Sequence, residues 1–141
     1  MVGGVILIDV DDGIEHELRA RIDLPVLACS GVDEWVARAS VAVTEAARVG
    51  GISSPLVVVA QGASWALLPS FAVAQRTSGR LIVAYVIIEP RQPLRGQPDW
   101  PDAPVTVVTE DGDTERIASL RGWRVTSLRP VDAVVDVIAL I

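Results

Sequence analysis

Lysine is absent from this chain, and cysteine and histidine occur once each, as Cys29 and His16. The missing lysine excludes mechanisms that need a Schiff-base amine or a phosphate-binding ammonium group. A single cysteine excludes an internal disulfide and a thiolate metal cluster, so a reducing cytoplasmic setting is the expectation. No Gly-x-Gly-x-x-Gly follows an apolar run, and the dinucleotide fingerprint is therefore missing. No apolar run reaches the roughly 18 residues needed to span a bilayer. No basic segment precedes Val5 to Val10, so a secretory leader is not expected either.

What is present is apolar and acidic. Half of the 141 residues are hydrophobic and mean hydropathy is +0.43, which predicts one well-buried domain. Twelve basic residues, all arginine, face 18 acidic ones, giving a net charge of -6. That balance argues against a nucleic-acid partner and against anionic membranes.

Short apolar runs bounded by turn residues predict strands at Val5 to Val10, Leu24 to Cys29, Leu56 to Ala60, Leu81 to Ile88, Val105 to Thr109 and Trp123 to Leu128. Ile14 to Ile22 fits both helical spacing and strict alternation; its Glu, Leu, Ala and Arg content and the need for a crossover favour a helix. Helices are further predicted from Glu34 to Arg48 with Asp33 as cap, from Ala63 to Thr77 with a kink at Pro69, from Thr114 to Arg121, and from Pro130 onward. Glu89 to Ala103, with prolines at 90, 93, 98 and 101, reads as a stiff loop. Strand and helix alternate throughout, which predicts a doubly wound α/β domain with a mostly parallel sheet of about six strands.

Asp9-Val10-Asp11-Asp12-Gly13 also looks like the opening of haloacid-dehalogenase phosphatases or phospho-receiver domains. Both use a lysine that this chain lacks, and no aspartate ends the Leu56 to Ala60 strand. No cofactor is expected. A divalent metal on Asp9, Asp11 and Asp111 is the minor reading, since carboxylates at adjacent strand ends suit hard cations.

The segment Pro55 to Pro69, PLVVVAQGASWALLP, is a strand, a glycine turn and a helix in immediate succession. With Asp99 to Pro104, Arg121 to Val125 and Val131 to Val134, it resembles the α/β-hydrolase superfamily, in a short form lacking the first two strands. The resemblance implies a nucleophile at the turn, where small residues allow backbone and helix to approach closely. Two registers fit: Gly62 at the nucleophile position, or Ser64 within Gly62-Ala63-Ser64-Trp65-Ala66. The steric demand of the turn favours Gly62. The resemblance also implies a histidine after the last strand, but Leu128-Arg129-Pro130 leads straight into a helix. Where an oxyanion loop is implied, the chain has Asp11-Asp12-Gly13, whose carboxylates would oppose a developing oxyanion.

The expectation is a degenerate α/β-hydrolase-like protein without a working triad. Its pocket at the strand carboxyl ends would be lined by Asp11, Ser30, Gln61, Gly62, Glu89, Trp65 and Trp100, and would take a small molecule or a protein partner. An edge left by the missing strands and the apolar end Val137 to Ile141 predict a homodimer. The alternatives are a lyase, isomerase or cyclase moving a proton through Glu89 or Asp111, and an esterase using Ser64.

Overall fold

The computed structural model describes residues 1–30, 35–91 and 100–141. Among these residues the strands are β1 (Gly4–Ile8), β2 (Val26–Cys29), β3 (Leu56–Gln61), β4 (Ile82–Ile88), β5 (Val105–Val108) and β6 (Arg124–Thr126). They form one six-stranded, all-parallel sheet in the order β2-β1-β3-β4-β5-β6. Helices α1 (Asp12–Arg21), α2 (Trp35–Arg48), α3 (Leu68–Thr77), α4 (Gly112–Leu120) and α5 (Pro130–Ala139) connect and cover them.

Parallel strands need crossover helices, and those helices bury both faces of the sheet. The central strands accordingly are apolar without alternation: every residue of β1 and β5 is buried, whereas the edge strands β2 and β6 are only partly covered. Side chains still alternate between faces. Val5, Leu7, Val57, Val59 and Val86 pack with Leu18 of α1 and Val131, Val134 and Val137 of α5. Ile6, Ile8, Val58, Ala60 and Ile87 pack on the other face with Trp35 and Val43 of α2, Phe71 of α3 and Ala118 of α4. The doubly wound α/β fold therefore stands as the sequence predicts.

The ambiguous Ile14 to Ile22 segment is helical, because Asp11 caps it and Leu18 anchors it in the core. Its first turn carries Asp12 and Glu15 and its last turn Arg19 and Arg21, a charge order that suits the helix dipole. Arg21 and Arg129 then tie α1 to α5 through Asp132 and Glu17.

Pro69 does not kink a helix. Residues Gly62–Leu67 form a 3₁₀ segment and α3 begins only at Leu68, with Pro69 in its first turn, where the missing N–H leaves no bond unmade. The fourth helix starts at Gly112, two residues earlier than Thr114, with Asp111 as its cap. The first strand ends at Ile8 instead of Val10, because Asp9 turns the backbone at φ 56°. The predicted cap Asp33 and the middle of the proline-rich loop, 92–99, lie outside the described residues.

Candidate functional site

Chain direction across the sheet reverses between β1 and β3: the crossover from β1 runs outward to β2, and β3 then starts the run in the opposite direction. In open α/β sheets the crevice outside the strand carboxyl ends at such a point is where ligands bind. Three neighbouring strands leave this edge through left-handed residues: Asp9 (φ 56°) after β1, Gly62 (φ 69°) after β3 and Glu89 (φ 43°) after β4. Only glycine adopts that conformation without steric cost, so Asp9 and Glu89 are held there by their surroundings.

Across the reversal, the half-buried Gln61 accepts a 2.7 Å hydrogen bond at Oε1 from the Asp11 backbone N–H. This contact ties the end of β3 to the start of α1. The Asp11 carboxylate accepts from the Gly13 N–H at 2.8 Å and so caps α1. Arg91, which sequence reasoning missed, donates its N–H to the Gly62 carbonyl at 3.4 Å. A Cβ built on Gly62 would lie 3.7 Å from Arg91 Nε, so the turn has room for a side chain and its guanidinium neighbour is within reach.

Gly62, not Ser64, makes the sharp turn. Ser64 sits two residues into the 3₁₀ segment, is 7% exposed, and donates its hydroxyl to the carbonyls of Gln61 (2.9 Å) and Ile8 (3.3 Å). A hydroxyl spent on backbone carbonyls inside the core is poorly placed to attack a substrate. His16 is exposed on α1, and Ser30 is exposed just past β2. Burial pushes the Cys29 thiol up, away from the thiolate form that a nucleophile requires.

Both carboxylates considered for proton transfer are exposed. Asp111 caps α4, its Oδ2 accepting from Thr114 Oγ1 at 2.8 Å and from the Thr114 N–H at 2.9 Å. These two bonds hold its carboxyl below the usual carboxylate range, the opposite of what a proton-moving acid needs. Glu89 borders a shallow cleft of about 220 Å³ with Thr109, Glu110, Leu128 and Arg129 at the start of α5. Among the described residues, no three of His, Cys, Asp and Glu come together as a metal-ligand set, so Asp9, Asp11 and Asp111 do not form one.

The two tryptophans part company. Trp65 is buried within the 3₁₀ segment, and among the described residues its indole N–H has no acceptor. Trp100 is not at the carboxyl ends. Its ring meets Tyr85 edge-on at 5.3 Å and Trp123 at 5.6 Å. Tyr85 pairs in register with Val105, the first residue of β5, and Trp123 immediately precedes β6. Trp100 therefore packs over the amino-terminal beginnings of these strands, which removes it from the predicted pocket. The Tyr85 hydroxyl donates to Asp102 at 2.7 Å, and burial together with that carboxylate pushes its pKa far above the ordinary tyrosine value.

The amino ends also hold a larger concavity, of about 570 Å³, lined chiefly by apolar side chains of β4, β5, the 101–105 segment and the end of α5. Leu140 and Ile141 are 70% and 50% exposed at its edge. Sequence reasoning noticed the apolar end of the last helix but not the hollow beside it. Among the described residues no helix is long and apolar enough to cross a membrane. No protein-family model, curated protein or solved structure matches this chain.

Proposed function

We propose that this protein binds a small polar molecule in the crevice between β1 and β3 and does not hydrolyse substrates by a serine route. The observation that carries the reading is the division of labour in the turn after β3. Gly62 occupies the left-handed position and is half-buried, while the neighbouring hydroxyl, Ser64, points into the core and donates to Gln61 and Ile8. The groups around the crevice are polar: the Gln61 amide, whose oxygen accepts from the Asp11 N–H, the Asp9 carboxylate, and Arg91 beside Gly62. Descent from an α/β-hydrolase that lost its outer strands and its triad belongs to the same proposal. It is supported by the left-handed glycine directly after β3, which leads through a 3₁₀ segment into α3.

Two measurements test it. A fluorophosphonate probe followed by intact-mass analysis is expected to leave the mass unchanged, and an adduct on Ser64 would overturn the non-hydrolytic reading. A fragment panel followed by amide NMR shifts is expected to produce perturbations clustered at residues 9–11, 61–63 and 91. Fragments that bind only elsewhere on the protein would remove the crevice from consideration.

A further inference from the structure

Arginines elsewhere in this acidic chain meet carboxylates, as Arg21, Arg124 and Arg129 do. Arg80, which lies between α3 and β4, meets none among the described residues. Its Nε donates to Gln75 Oε1 at 2.8 Å and its Nη2 to Thr44 Oγ1 at 3.0 Å. Both acceptors are neutral, so the guanidinium is held in place without a counterion. The side chain is half-buried, and that burial lowers its pKa with no carboxylate opposing the shift. An arginine stays protonated all the same.

The groups around Arg80 have hydrogen-bond donors to spare. Ser40 and Thr44 stand about one turn apart on α2. Ser40 Oγ accepts from Nε2 of the fully buried Gln75 at 3.4 Å. Each hydroxyl oxygen thus receives a hydrogen bond, yet among the described residues neither hydroxyl proton has an acceptor. Two of the five guanidinium N–H groups are used, and the rest have no partner among the described residues. The neighbouring carboxylate on α2, Glu45, is paired with Arg48. Ser40 is half-buried and Thr44 exposed, so solvent reaches the cluster.

We propose that Ser40, Thr44 and Arg80 form a site for a small tetrahedral oxyanion of the phosphate class. The guanidinium supplies the charge and a pair of N–H donors. The two hydroxyls, with Cβ atoms roughly 5–6 Å apart on the helix surface, donate from a second direction. A planar carboxylate matches the edge of a guanidinium, whereas a tetrahedral ion presents oxygens to all three side chains. A structural tie between α2 and the end of α3 explains why Arg80 bonds Gln75 and Thr44. It does not explain the missing counterion or the two hydroxyl protons without acceptors.

Inorganic phosphate, titrated at neutral pH against sodium chloride of equal ionic strength, is the probe, and acetate is the planar control. Saturable shifts are expected at the amides of residues 40, 44, 75 and 78–80 and at the Arg80 Nε–H, with acetate binding roughly tenfold more weakly. Arg80→Gln is expected to weaken phosphate binding about tenfold through loss of a charge-assisted hydrogen bond. Thr44→Val keeps the side-chain shape at an exposed position and should weaken it about threefold. It also keeps the proposal testable should Arg80→Gln fail to fold. A chloride response equal to that of phosphate, acetate binding as tight as phosphate, or phosphate affinity unchanged in Thr44→Val would overturn the assignment. Shifts confined to residues 9–11, 61–63 and 91 would place the ion in the crevice and overturn it too, so the two proposals fail separately. Within the proposal, phenyl phosphate binding more tightly than phosphate would assign the oxyanion to a monoester, and weaker binding to the free ion.

Discussion

The two ends of the sheet are made by the same strands and differ in what the chain does on leaving them. At the carboxyl ends, β1, β3 and β4 turn at once through left-handed residues, and polar groups are pinned by short local bonds such as Asp11 to Gln61. At the amino ends rings are buried: Trp100 packs against both Tyr85 and Trp123, and the end of α5 borders a hollow. One end carries left-handed turns and polar contacts, the other an aromatic cluster and an apolar hollow of about 570 Å³. The aromatic cluster and the left-handed turns are thus separated along the strand axis, so each can be perturbed without the other.

The largest effect is expected at the amino end. Trp100→Ala removes a ring that is 6% exposed and flanked by two aromatics, and should cost about 3–5 kcal/mol in urea unfolding. A loss well under that range would mean that the cluster can collapse around the gap, blurring the contrast. At the carboxyl end the effect should be conformational. Gly62→Ala meets no atom closer than 3.7 Å, so its cost is the left-handed backbone alone, about 1–2 kcal/mol. If it proved neutral, the strain assigned to this end would be wrong.

Smaller still are the single polar contacts. Gln61→Ala deletes the acceptor for the Asp11 N–H and should cost about 1 kcal/mol. Faster hydrogen exchange at Asp11, with the residues of β5 unchanged, is the local signature that separates it from general destabilisation.

The smallest effect is a pH dependence at Asp111. Bonds from Thr114 lower its pKa in the folded state, so its contribution is present above the ordinary unfolded value and lost as pH falls through the folded one. Asp111→Ala is therefore expected to lower the melting temperature at neutral pH. The gap to the parent should close as pH drops below the unfolded aspartate value of about 3.9. A gap that persists at low pH would mean that the carboxylate charge is not what stabilises α4.

Much of this molecule was legible in its residues. The apolar runs in β1, β3 and β4 have no alternation because parallel strands are covered on both faces, and that alone announces the sheet. The helix boundaries were less so. A proline such as Pro69 can kink a helix or open one, and the choice depends on the 3₁₀ segment packed before it. Asp11 and Asp111 read equally well as pocket acids or helix caps, since both roles want a carboxylate between a strand and a helix. The bonds from Gly13 and Thr114 show that both cap helices.

What the sequence determined by itself is what depends on local pattern: the alternation of strand and helix, the doubly wound class and the glycine turn after β3. Tertiary structure alone decided which distant groups meet. It carried Trp100 to the opposite end of the sheet from Gly62 and set Arg91 beside that glycine. It turned the Ser64 hydroxyl inward and left Arg121 and Arg124 bordering an apolar hollow. The physical reason is range. Periodicity and turn chemistry act over a few residues, whereas a site is assembled by strand order and register, which bring together residues that the sequence keeps far apart.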